Sequence, residues 1–170
     1  MNPDNANRVM TKKVISLLPG IHLRRLQKML GTSFTTARYH VSNLERDGEI
    51  VATKDGRYDR LYPVGISESL KPVYACLQSD TVRTVLCLVA DSPDELTKTD
   101  ISSKVNLAAS TVGECMSILE QASLVRRAFT SDGRVVYALT DAERILPLLA
   151  VFRSNLLQAT TDNFLSLWDI

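Results

Sequence analysis

Between Phe34 and Arg46 the chain places Thr35, Thr36, Tyr39, Ser42, Asn43 and Arg46 at spacings that share one side of a helix, with Phe34, Ala37, Val41 and Leu44 opposite. Arg38 and His40 flank the apolar stripe. Hydroxyls, an amide, a phenol and guanidiniums at helical spacing suit the edges of bases and the oxygens of phosphate. They offer donors and acceptors in step with a groove, and the face holds no carboxylate to repel phosphate. The candidate base-reading set is Thr35, Thr36, Arg38, Tyr39, Ser42, Asn43 and Arg46. Lys12 and Lys13, then Arg24, Arg25 and Lys28, then Lys54, Arg57 and Arg60, are candidate phosphate contacts on either side of it. The plainer alternative is a solvated helix with a scatter of charge.

Catalytic chemistry finds no such grouping. No His/Asp/Ser or Cys/His pair sits in a motif, no glycine-rich phosphate loop follows a strand, and the carboxylates are scattered or lie at helix ends, so an enzyme is not expected. Cys76, Cys87 and Cys115 are odd in number, far apart and set among apolar neighbours. With only His22 and His40 as other soft ligands they assemble neither a disulfide framework nor a metal knuckle. Buried thiols are expected, and no metal or cofactor.

The elements that must hold the polar helix face follow from periodicity and punctuation. Met10, Val14, Ile15, Leu17 and Leu18 give Arg8–Leu18 helical spacing, stopped by Pro19-Gly20. Ile21-His22 reads as a short extended piece, Leu23–Leu30 as a second helix ended by Gly31, and Ser33 as the cap of a third helix running to Asp47-Gly48. Glu49–Thr53, the turn Lys54-Asp55-Gly56-Arg57, and Tyr58–Tyr62 read as a hairpin. Three helices with a tight turn between the last two, followed by a hairpin, is the order of a winged helix-turn-helix.

The order occurs twice. A shift of 75 residues lays Leu26–Glu45 over Ile101–Glu120, with Leu26 on Ile101, Leu30 on Val105, Ala37 on Val112, Val41 on Met116 and Leu44 on Leu119. The second copy reads as helices over Thr81–Ala90, Thr99–Val105 and Ala109–Ala122, with a short strand at Leu96-Thr97. A hairpin follows, Leu124–Phe129 and Val135–Leu139 around Ser131-Asp132-Gly133-Arg134, and Thr140-Asp141-Ala142-Glu143 matches a capping box opening a last helix that Pro147 should bend. The expected fold is mainly α with small β-hairpins (α+β): residues 1–65 and 80–140 as tandem winged helix-turn-helix domains, 66–79 as a packed connector that contains Pro72 and follows directly on Gly65, and 141–170 as a C-terminal helical segment.

The copies differ where it matters. Gly113 replaces Arg38, Glu114 replaces Tyr39 and Ile118 replaces Asn43, so the second face is poor for DNA. Ser110, Thr111, Arg126, Arg127 and Arg134 remain as second-domain contacts, and the preferred role there is positioning, dimerisation or docking a partner from the transcription machinery. The charge is split in the same way. Residues 1–65 hold 11 Lys/Arg against 6 Asp/Glu, net +5, whereas the remainder holds 9 against 13, net −4. The last segment is rich in apolar residues; Leu149, Phe152, Leu156, Phe164 and Trp168 are candidates for packing back on the second domain or for the seam of a homodimer. Met1–Asn7 is polar and no apolar run approaches the ~20 residues of a spanning helix, so a cytoplasmic protein without membrane contact is expected.

The run GIHLRRLQKMLGTSFTTARYHVSNLERDGEI, continuing to DGRYDRLYPVG, resembles the first domain of archaeal proteins with tandem winged helices, related in style to the ArsR and MarR groups of regulators. STVGECMSILEQASLV and DGRVVYALTD resemble the second domain, and RSNLLQATTDNFLSLWDI is similar to the leucine-rich ending of such proteins. The resemblance implies a transcription regulator on double-stranded DNA, its third helix in the major groove and its wing on backbone or minor groove. It departs at Gly113 and Glu114, where family members often carry basic residues. The runner-up functions are a winged-helix protein-docking module and a non-specific nucleoid binder, although few aromatics besides Tyr39 face outward to stack on bases.

Overall fold

The computed structural model describes residues 3–92 and 95–166. The chain divides into two compact units, one comprising the residues up to Ala75 together with the segment from Phe152 on, the other Cys76–Val151. The expected last segment, 141–170, is thus shared between them rather than packed on the second alone.

In the first unit α1 (Pro3–Leu17) begins five residues before the expected start at Arg8, since Pro3 is tolerated in a first turn and Asn5 is exposed there. Val14, Ile15 and Leu18 point into the core. β1 (Ile21–His22) leads directly into α2 (Leu23–Leu30). The His22 imidazole caps α2, its Nδ1 accepting from Arg25 N at 3.2 Å, and Gly31 ends it at φ 61°, its N–H returning to the carbonyls of Gln27 and Lys28. α3 (Phe34–Arg46) opens on Ser33, whose Oγ accepts from Thr36 N at 3.0 Å.

The buried stripe of α3 is Ala37, His40, Val41 and Leu44. Phe34 is 44% exposed, so the expectation that it faces inward fails, and His40, expected on the flank, is buried in its stead. The arc that faces the core is rotated away from the helix's first residue by the width of one side chain, which leaves Phe34 on the edge.

β2 (Ile50–Asp55) and β3 (Tyr58–Pro63) pair with Asp55 opposite Tyr58, so the turn is Gly56-Arg57 rather than four residues centred on Asp55-Gly56, and the strands run longer than expected. β1 lies on the other side of β3, His22 opposite Arg60, in the order β1-β3-β2. After a 3₁₀ turn at Glu68–Leu70, α4 (Lys71–Gln78) accepts Pro72 in its first turn and buries Val73, Cys76 and Leu77. Lys71 anchors it: its ammonium donates to Thr53 Oγ1 at 3.0 Å and lies 5.4 Å from the centre of the Tyr62 ring, whose hydroxyl donates to Lys71 O.

The second unit repeats the order with α5 (Asp80–Asp91), β4 (Leu96–Thr97), α6 (Lys98–Val105), α7 (Ala109–Gln121), β5 (Val125–Phe129) and β6 (Val135–Leu139), the strands arranged β4-β6-β5. Thr97 and Asp100 form a reciprocal capping box on α6. Where Ser33 caps α3, Ala108 offers α7 no side-chain cap. Leu86, Ile101, Val112, Met116 and Leu119 form the core of this unit.

α8 (Ala142–Ser166) is capped by Asp141, whose Oδ1 accepts from Arg144 N at 3.1 Å. The expected box on Thr140 and Glu143 does not form, because the helix starts one residue later and Arg144 stands at its third position. α8 continues through Pro147. Its later half belongs to the first unit, where Asn155 Nδ2 donates to Leu17 O at 3.1 Å and Asp162 pairs with Lys13 at 2.7 Å.

Candidate nucleic-acid interface

The side of α3 away from its buried stripe is open. Thr35, Arg38, Tyr39, Ser42 and Arg46 are exposed, Tyr39 by 53%; Thr36 and Asn43 are half-buried, Thr36 tied to Ser33. Contrary to the expectation of a face without a carboxylate, Glu45 is exposed on its edge and lines the same cleft as Phe34 and Arg38.

Charge on the first unit sorts into two groups. Arg8 bridges Asp47 and Glu49, Lys12 pairs with Glu49, Lys13 with Asp162, and Arg60 with Asp55 while also donating to Gly20 O at 3.0 Å. Lys12, Lys13 and Arg60, expected as phosphate contacts, therefore hold their charge against carboxylates of their own unit. Arg24, Arg38 and Arg57 make no ion pair among the described residues and come together beside α3; Lys28 on α2 and Lys54 on β2 are exposed and likewise without an ion pair among the described residues. Cations without an internal carboxylate are the ones that gain most from an outside anion. Arg25 is half-buried in the first turn of α2.

A cleft of about 470 Å³ opens between α3, the start of α2 and the β2–β3 hairpin. Its floor is Leu23, Val41, Ala52 and Leu61; its walls carry Phe34 and Tyr58; Arg24, Arg38 and Arg57 reach it from three elements. Tyr58 is held against His22 with ring centres 5.7 Å apart and planes 29° from parallel. Phe34, His22 and Tyr58 line the cleft without having been expected as site residues. Only the β1–β3 pairing brings His22 to the hairpin, and no local pattern encodes that contact.

Burial, then the charges of Arg60, Arg25, Arg24 and Lys28, push the His22 imidazole below its ordinary pKa of 6.5. The neutral ring is the form whose Nδ1 caps α2. As pH falls through about 6.5, the unfolded chain takes up a proton that the folded chain resists, so folding stability drops with falling pH in that window. Denaturant unfolding at pH 7.5 and 5.5 should show this loss shrinking in His22→Asn, which keeps a capping acceptor without titrating. An unchanged pH dependence would show that His22 is not its source. The carboxylates held low, Asp47 by Arg8 and Glu49 by Lys12, lose their contribution only in more acidic solution, below their ordinary values of 3.8 and 4.5.

The second unit presents a different surface. Ser110, Glu114, Ser117 and Ile118 are exposed on α7 and Thr111 is half-buried. Its candidate cations are matched by acids: Arg126 with Glu95 at 3.9 Å, Arg127 with Glu120 and Arg134 with Asp132, both at 2.7 Å. A side chain started at Gly113 would come within 2.6 Å of Lys98 Nζ, so a lysine from α6 lies where Arg38 stands in the first copy. Large apolar side chains are exposed at Ile118, by 43%, and at Phe129 on the hairpin, by 73%.

Of the C-terminal candidates, Leu149 and Phe152 are buried in the chain's own packing at 4% and 1%, and Leu156 is half-buried. Leu157, Val151 and Leu146 are large apolar side chains exposed on α8, at 71%, 58% and 42%. The side chain of Phe164, and Trp168 altogether, lie outside the described residues. Among the described residues no group of three His, Cys, Asp or Glu could hold a metal ion, and no single helix is long and apolar enough to cross a membrane.

No model of a known protein family matches the chain. Over 124 residues it is 28% identical to a protein of Methanocaldococcus jannaschii named as an uncharacterized HTH-type transcriptional regulator. The match takes in 73% of this chain, and the chain spans only 31% of the length of that relative.

Proposed function

We propose that the chain is a sequence-specific regulator that binds double-stranded DNA through the first of two winged helix-turn-helix units. α3 enters the major groove, where Thr35, Arg38, Tyr39, Ser42 and Arg46 meet base edges, and the Gly56-Arg57 turn lies on the backbone. The observation that carries this reading is the open polar face of α3, with Arg38 on the helix and Arg24 and Arg57 at the cleft beside it, cations that make no ion pair among the described residues. The order of helices and strands in each unit, and the likeness to a relative named as a transcriptional regulator, support it.

The second unit takes a positioning or partner-docking role in this account. Its three candidate arginines are already paired with acids, and it exposes large apolar side chains at Ile118 and Phe129. Neither feature suits phosphate.

Selection of bound duplexes from a random pool, run at two salt concentrations, tests the reading. One enriched sequence that persists at the higher salt is the expected result, since base contacts survive screening better than phosphate contacts do. A pool that stays unenriched at both would leave only non-specific binding.

A further inference from the structure

Phe34 is the strongest departure from the expected pattern: a phenylalanine at the start of α3 that the core does not take up and that forms a wall of the cleft instead. Tyr58 is a second aromatic wall, and its ring is fixed in advance by the stack on His22, itself held by the bond from Arg25 N. The lining is mixed in sign. Arg24, Arg38 and Arg57 bring three guanidiniums, Glu45 and Asp59 bring two carboxylates, and the floor is apolar. The volume, about 470 Å³, lies in the range that holds a small molecule.

A ligand for this cleft must satisfy all three kinds of group. A simple anion would use the arginines and be repelled by Glu45 and Asp59. An uncharged aromatic would stack and leave the arginines unused. A nucleoside monophosphate answers each: a planar base for Phe34 and Tyr58, hydroxyl and exocyclic amino donors for the two carboxylates, and a phosphate for the arginines. We infer that the cleft binds a free nucleoside monophosphate, and that its occupation excludes DNA, because Arg38 and Ser42 serve both the cleft and the reading face of α3. The exclusion, but not the binding itself, rests on the DNA reading above.

The full chain is titrated calorimetrically with the four nucleoside monophosphates, with inorganic phosphate and adenosine as controls. At least one nucleotide should bind one to one, about tenfold or more tighter than either control, since stacking on a single ring is worth about that much by alanine substitution. Phe34→Ala and Arg57→Ala, both at exposed positions, should each weaken it about tenfold, Phe34→Leu should lose nearly as much as Phe34→Ala, and Ser117→Ala, exposed on α7 and outside the cleft, should leave it unchanged. Absence of binding by every nucleotide, or binding that survives Phe34→Ala and Arg57→Ala, would overturn the site. In a second arm the bound nucleotide competes with the selected duplex. Nucleotide binding without any effect on duplex affinity would overturn the exclusion alone. Nucleotide binding in a chain that takes up no duplex would uphold the cleft while the DNA reading falls.

Discussion

Replacing Arg38 and Tyr39 together with alanine should abolish the preference of the chain for its selected duplex over a scrambled one. Both side chains are exposed on α3, at successive positions, and Tyr39 meets the core only through an edge contact of its ring with buried His40 at 5.3 Å. A well-placed contact to a base is worth about 1–3 kcal/mol of discrimination, so losing two removes about a hundredfold or more of the preference. Arg57→Ala, at the hairpin turn, should instead weaken both duplexes alike and lower the salt slope by about one charge. Fluorescence anisotropy with the two duplexes across a salt series separates these outcomes. Equal losses on both duplexes for both sets of variants would mean that α3 does not read sequence.

The largest expected effect on stability belongs to Phe152. It is 1% exposed, in the stretch of α8 that belongs to the first unit. Phe152→Ala should lower the unfolding free energy by about 3–5 kcal/mol, the sum of lost transfer energy and the cavity left behind. Because Phe152 is buried within one chain, the loss should be the same at low and high protein concentration, as followed by circular dichroism in urea. A loss that grows on dilution would place Phe152 in a seam between copies instead. Leu157→Asp, at a side chain 71% exposed, should cost little by the same measurement.

Local chemistry made much of this fold legible before any coordinates. Ser33 and Gly31 mark helix ends because a hydroxyl acceptor and a left-handed glycine satisfy backbone groups whatever lies elsewhere in the chain. The 75-residue shift between copies survives in the structure as the correspondence in chain order of Phe34–Arg46 with Ala109–Gln121, each helix followed by a hairpin. What failed depended on neighbours distant in sequence. Phe34 and His40 exchange places because the floor against which α3 packs, not its own apolar sum, sets which arc is buried. The turn at Gly56-Arg57 shifts by one residue because the pairing of Asp55 with Tyr58 extends the ladder. Which cations stay open was equally out of reach, since Lys13 meets Asp162 and Arg8 meets Asp47 and Glu49 only once the chain has folded. Of the eleven basic residues in the first 65, the fold pairs Arg8, Lys12, Lys13, Arg46 and Arg60 with carboxylates and brings Arg24, Arg38 and Arg57 together at the cleft beside α3.

The most direct test puts a photo-reactive phenylalanine analogue at Tyr39, and separately at Glu114, its counterpart on α7. With selected duplex bound, irradiation should join the chain to a base from position 39 and leave position 114 unlinked. Cross-linking from 114 alone, or from neither position while the duplex remains bound, would contradict the assignment of α3 as the reading helix.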